Sequence, residues 1–228
     1  MTDSTYALFE QYMRSCMTDS AHDKEHIYRV LYTALDIAGT EQDVDYDVLI
    51  CACLLHDIGR KEQFEDPRLN HAEVGADKAF TFLSEHGFSE DFTRRVCDCI
   101  RSHRYRKRNP PSSTEAKILF DADKLDVCGA IGIARTLLYK GIVGEPLYSL
   151  TPDRTLLDGT NDTEPSFFQE YKYKLESIYD HFFTERGAAL AKERQDAAKN
   201  YYQNLLSEMR AVYEDNAAKL AAHISRNA

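Results

Sequence analysis

The stretch V48-L-I-C-A-C-L-L-H-D-I-G-R60 decides the fold. Its residues from Val48 to Leu55 are apolar without interruption, which predicts a helix over Asp45–Ile58 buried along most of its length, ended or tightened by Gly59. An imidazole and a carboxylate side by side, His56 and Asp57, then stand at the polar end of a buried helix. That arrangement costs free energy unless something compensates the buried polar groups, and a bound cation does so. Neighbouring helical positions point about 100° apart, so both side chains reach one ion only beyond the helix end, where Gly59 allows close approach. The plainer alternative is that His56 caps the helix and Asp57 pairs with Arg60 or Lys61.

Working outward, the periodicity is helical nearly throughout. Helices are expected over Ser4–Cys16 and from an N-cap at Asp23 to Ala38. Two more are expected over Asn70–His86 and Ser89–Arg104. A fifth runs over Thr114–Tyr139, bent near Gly129 and Gly132, and two others cover Phe167–Glu185 and Ala188–Ala222. The Gly- and Pro-rich segment Gly141–Pro165 reads as a long loop, and a loop of that length in a compact domain usually has a task. The fold class is therefore all-α, a single helical bundle with a C-terminal helical extension: core 1–140, loop 141–165, C-terminal helices 166–228 packed back on the core.

The 228 residues suffice for a substantial core, with 43% apolar and 29% charged side chains. A net charge of -10 argues against a binder of long nucleic acid that relies on bulk positive potential. It leaves room for a small anionic substrate met by a metal and local Arg or Lys. The six cysteines form no CxxC pair and read as reduced thiols, Cys51 and Cys53 as small buried side chains. Charges interrupt each apolar run before spanning length, and no signal peptide is evident, so a cytoplasmic location is expected.

Four histidines, His26, His56, His71 and His103, fall at expected helix ends, where a bundle opens onto water. His22 shares a helical face with His26. Asp121, Asp123 and Asp126 lie in LFDADKLD, with Asp121 and Asp123 expected to diverge, one inward and one outward. Two imidazoles with two carboxylates suit a divalent ion of intermediate hardness such as Mn²⁺, Fe²⁺ or Zn²⁺ and leave positions for water and a substrate oxygen. A bridging Asp57 with His71 and His103 would hold a second ion; one-ion and two-ion versions both fit. The basic string Arg101, Arg104, Arg106, Lys107 and Arg108 adjoins His103 and suits phosphate contact better than a merely solvated face. Lys124 lies beside Asp123, and Arg29 one turn after His26 is read equally as a structural ion pair or a substrate contact.

These strings, AHDKEHIYRV (21–30), LLHDIGR (54–60), HAEVGA (71–76), IRSHR (100–104) and LFDADKLD (119–126), resemble the HD superfamily of metal-dependent phosphohydrolases, and within it bacterial HD-domain proteins similar to nucleotide pyrophosphohydrolases. FFTERGAALAKER (182–194) adds to the likeness, which spans roughly residues 5 to 212. The resemblance implies a helical bundle with His26, His56, Asp57 and Asp123 as metal ligands. It places His71 and His103 at a second metal or on substrate phosphate, and makes 141–165 a substrate-gating segment.

The expected reaction is metal-assisted hydrolysis of a nucleotide phosphate ester or anhydride, as a nucleoside triphosphate pyrophosphohydrolase or a nucleotidase. Mn²⁺ is the first choice of ion, with Mg²⁺, Ni²⁺, Co²⁺, Fe²⁺ and Zn²⁺ as alternatives. Asp57, Lys124 and Arg104 are the expected catalytic residues, and Arg29, Arg60, Arg101, Arg104, Lys124 and Lys174 the substrate contacts. Asp57, Asp23, Glu73 and Asp126 are candidates for the general base. A homodimer is compatible with the long C-terminal helix, and no membrane association is expected. Two rival readings are an HD-type di-iron oxygenase and a non-catalytic helical module that keeps a metal for stability.

Overall fold

The structure, a computed structural model, describes residues 1–17, 24–104 and 109–225. His22, Asp23 and the basic residues Arg106, Lys107 and Arg108 lie outside these. Among the described residues ten α-helices succeed one another: α1 (Asp3–Cys16), α2 (Lys24–Ala38), α3 (Tyr46–Leu55), α4 (Arg60–Glu65), α5 (His71–Glu85), α6 (Glu90–Ser102), α7 (Thr114–Leu125), α8 (Gly129–Val143), α9 (Phe167–Glu170) and α10 (Glu185–Ser225). No β-strand forms among the described residues; one isolated bridge pairs Leu150 with Leu156 in the irregular segment after α8. Among the described residues no helix is long and apolar enough to cross a membrane.

Two compact units result, Met1–Asp126 with Phe182–Ala189, and Val127–His181 with Leu190–Ala228. The first boundary falls at Asp126, earlier than the expected 140, because the helix foreseen over 114–139 is two helices. Cys128 lies between them as the N-cap of α8, and Gly129 takes a left-handed φ of +67° that residues with a Cβ rarely adopt. A Cβ on Gly132 would meet the Val127 carbonyl oxygen at 2.2 Å, so the turn also needs glycine there.

In the first unit, α5 packs on α6, α2 on α7, and α3 on α2, α6 and α7. As the apolar run requires, α3 is central, and every residue from Cys51 to Gly59 is buried. Side-chain caps start the helices cleanly: Asp45 accepts from the Asp47 and Val48 N–H groups, Asn70 from Ala72, Ser89 from Phe92 and Ser113 from Ala116. Gly59 fits because nothing larger would: a Cβ there would lie 2.4 Å from the His71 carbonyl oxygen and 2.6 Å from the Gly75 nitrogen. The short helix α4, unforeseen in the sequence, leads the chain from Gly59 toward α5.

Asp121 and Asp123 do diverge, but neither turns outward. Asp121 is fully buried and accepts from the Phe183 N–H at 3.0 Å, the Thr184 N–H at 2.7 Å and the Thr184 hydroxyl at 2.7 Å. It thereby fixes the chain that enters α10.

The second unit is built on aromatic packing. Phe167, Phe168, Tyr171, Leu175 and Tyr202 form its core with Ile133 and Ala198, and Tyr171 stacks on Tyr202 with ring centroids 4.0 Å apart. The helix expected over 167–185 is broken into α9, a π-helical turn (Tyr171–Leu175) and a 3₁₀ turn (Ile178–Asp180). The π turn, closed by Glu176 N–H to Tyr171 C=O at 2.8 Å, inserts an extra residue that lets Tyr171 and Leu175 both face the core. The six cysteines are free thiols, with Cys51, Cys53, Cys97, Cys99 and Cys128 buried.

Candidate metal centre

The helix ends of the first unit converge. His26 sits in the first turn of α2, His56 caps α3 and Asp57 follows it in the turn 56–59. His71 opens α5, His103 caps α6 and Asp123 lies near the end of α7. The four histidines and Asp57 are each 4% exposed or less. His26, His56 and Asp123 form one group whose donor atoms lie within 4.8 Å of one another, and Asp57, His71 and His103 form a second.

Asp57 joins the two. Its Oδ2 is 3.6 Å from His26 Nε2 and 3.8 Å from His56 Nε2, while its Oδ1 is 3.4 Å from His71 Nε2 and 3.6 Å from His103 Nε2. Asp123 Oδ1 completes the first group at 3.2 Å from His26 Nε2 and 3.8 Å from His56 Nε2.

The protons of the cluster follow from the other face of each ring. His26 Nδ1 is 2.7 Å from Asp126 Oδ2, His56 Nδ1 2.7 Å from the Cys53 carbonyl, His71 Nδ1 2.7 Å from Gln63 Oε1 and His103 Nδ1 2.6 Å from the Ile100 carbonyl. These oxygens only accept, so each Nδ1 carries the hydrogen and each Nε2 presents a lone pair to the interior. The His26 and His56 lone pairs face each other across 3.4 Å, those of His71 and His103 across 3.2 Å.

Burial favours the neutral form of His56 and His71: it pushes His56 down to about 4 and His71 down to about 2, against the pull of Asp57 in each case. Burial alone would raise Asp57, but the Arg60 guanidinium, with Nε 2.9 Å from Oδ1, holds it well below the usual carboxylate range. Mutually facing lone pairs and carboxylate oxygens, with no hydrogen between them, repel in a dry interior and suit divalent cations. The donor set therefore fits a divalent metal at either group.

The sequence candidates divide into two sets. Brought together are His26, His56, Asp57, Asp123, His71 and His103. Arg60 lies on Asp57, and Arg104 Nη1 lies 3.3 Å from Asn70 Oδ1 and 3.4 Å from His71 Nδ1. Arg29 grips Asp126 through Nε at 2.8 Å and Nη2 at 3.0 Å, so the structural half of its two readings is present, and Arg60 likewise makes the ion pair foreseen as the plainer alternative.

Three others are engaged elsewhere. Arg101 is held by Asp77 at 3.3 Å, Glu73 at 3.4 Å and Asp98 at 3.6 Å. Lys124 lies over the Phe182 and Phe120 rings at 5.0 and 5.4 Å. Lys174, in the second unit, pairs with Glu170 at 3.0 Å. Sequence reasoning missed Gln63 altogether and saw Asp126 only as a candidate base. Arg29 at i+3 from His26 and Asp126 at i+3 from Asp123 were the available signal, since that spacing shares a helical face.

A buried double group of histidines and aspartates at the ends of helices is a site built to hold divalent ions. The HD domain family model matches residues 24–128, the stretch that supplies all six cluster residues. It is 28% identical over 207 residues to YpgQ of Bacillus subtilis, which covers 88% of this chain and 92% of that protein. The crystal structure of YpgQ in complex with ADP superposes with a TM-score of 0.68 at 26% identity, over 89% of this chain and 97% of that one. A predicted HD superfamily hydrolase from an uncultured Thermotogales bacterium gives a TM-score of 0.58 at 28% identity, over 91% of this chain and 92% of that one.

Proposed function

We propose that the chain hydrolyses a nucleotide, cleaving a nucleoside triphosphate between its α and β phosphates, with two divalent ions, Mn²⁺ by preference, held in the cluster. The observation that carries this reading is the shared position of Asp57 between two histidine groups whose Nε2 lone pairs face inward. His26, His56 and Asp123 would hold one ion and His71 and His103 the other, with Asp57 within reach of both groups. The ions would supply an activated water and positive charge against the phosphoryl oxygens. The YpgQ complex with ADP supports a nucleotide as the ligand class.

The chain's own residues then divide the remaining work. Asp126 and Gln63 hold His26 and His71 in the tautomer that presents Nε2. Arg60 keeps Asp57 ionised. Arg104, beside His71, neutralises an equatorial phosphate oxygen, where charge stabilisation counts most.

The test is a panel of nucleotides and other phosphorylated metabolites assayed with Mn²⁺, Mg²⁺, Ni²⁺ or Co²⁺, beside Asp57→Ala. Metal-dependent release of pyrophosphate from a nucleoside triphosphate is expected, reduced by on the order of 100-fold or more in the variant, the scale of losing one preorganised transition-state contact. No turnover across the panel, or a fully active variant, would overturn the reading. The complete six-residue set also suits a di-iron oxygenase. Two irons per chain in protein purified without chelators, together with oxygen consumption, would favour that chemistry instead.

A further inference from the structure

The four Nδ1–H groups of the cluster are not held alike. His56 and His103 give theirs to backbone carbonyls, and His26 gives its own to a carboxylate. His71 depends on a neutral side chain, Gln63, on the six-residue helix α4. The Gln63 amide is itself oriented, because its Nε2 donates to the Leu69 carbonyl at 2.8 Å, which leaves Oε1 to face His71. On the other side of the same ring atom, Arg104 Nη1 stands 3.4 Å from His71 Nδ1. A guanidinium N–H can only donate. Without Gln63, Nδ1 would become the acceptor for Arg104 and the ring hydrogen would move to Nε2. There it would point at His103 Nε2, 3.2 Å away, and close that half of the cluster with a His–His hydrogen bond.

We propose that Gln63 is a positioning residue that selects the Nδ1–H tautomer of His71 and so keeps the Asp57, His71 and His103 half of the cluster open to a cation. This rests on the two-ion reading above. The His26, His56 and Asp123 half is independent of it, since its tautomers are set by Asp126 and the Cys53 carbonyl.

Two measurements test it on the full chain: the Mn²⁺ binding isotherm, and the ¹⁵N shifts of the His71 ring in metal-free protein, for wild type, Gln63→Leu and Gln63→Glu. Circular dichroism checks that the variants fold. In wild type, two ions bind and His71 is protonated at Nδ1. In Gln63→Leu, the first ion binds unchanged, the second is weakened by about 10- to 100-fold, the usual consequence of losing a partner behind a ligand, and the ¹⁵N pattern shifts to Nε2–H. Gln63→Glu, which keeps an acceptor oxygen, restores both. Gln63→Leu with two wild-type ions or an unchanged tautomer overturns the proposal. Wild type that takes a single ion defeats the two-ion reading and the loading half of this one, while the ¹⁵N shifts still decide the role of Gln63 separately.

Discussion

Individual side chains govern the cluster through their protons. Asp126 accepts from His26 with Oδ2 and from Arg29 with both oxygens, a load only a carboxylate can carry. An asparagine in its place would turn an NH₂ toward either an imidazole N–H or a guanidinium, donor against donor. Asp126→Asn is therefore expected to weaken metal binding at the His26, His56 and Asp123 group by about 10- to 100-fold, read by competition with a calibrated chelator; wild-type affinity would show that the carboxylate behind His26 is dispensable. The six side chains that converge were legible as candidates in the sequence because His and Asp at the ends of apolar helices are chemically conspicuous. Gln63 was not, since it sits in the polar string KEQFE and gains its role only when α4 carries it to His71.

At the scale of elements, two glycines make opposite demands. Gly59 lets the turn after α3 press against α5, with backbone atoms at 2.4 and 2.6 Å from where a Cβ would sit. Those atoms belong to the His71 carbonyl and the Gly75 amide and cannot swing away, so Gly59→Ala must push α5 and its His71 outward. A loss of about 1–3 kcal/mol is expected, typical of overpacking, with a lower denaturant midpoint. Gly75, inside α5, would place its Cβ no closer than 3.4 Å to any neighbour. Gly75→Ala should be neutral or stabilising, by up to about 1 kcal/mol, the helix-propensity difference. Equal midpoints for the two variants would refute the steric argument. The buried run of α3 and the capped starts of α5, α6 and α7 could be read directly, because composition and capping residues are local signals. The break between α7 and α8 was legible only as a bend near Gly129 and Gly132, and the π turn after α9 not at all. A left-handed Gly129 turns that bend into a break, and what opens the π turn is tertiary: the burial of Tyr171 and Leu175 on one aromatic face.

Over the whole molecule, the cluster belongs to one unit and draws on α2, α5, α6, α7 and the turn behind α3, while the second unit rests on aromatic rings. An ion bound only by the folded state adds RT ln(1 + [L]/Kd), about 2.7 kcal/mol when free metal exceeds Kd a hundredfold. It does so by joining segments far apart in sequence, from His26 to Asp123, and by quenching the repulsion among buried lone pairs and carboxylates in a chain of net charge -10. Removing metal should therefore loosen the first unit selectively. Amides of α2, α3, α5, α6 and α7 that exchange only when this unit opens should do so about 100-fold faster in chelator than in saturating Mn²⁺. Those packed around Phe167, Phe168 and Tyr202 should keep their rates. Hydrogen exchange resolved by peptide measures both sets at once. Acceleration spread evenly over the two units would mean that metal acts on the chain by some route other than cross-linking these helix ends.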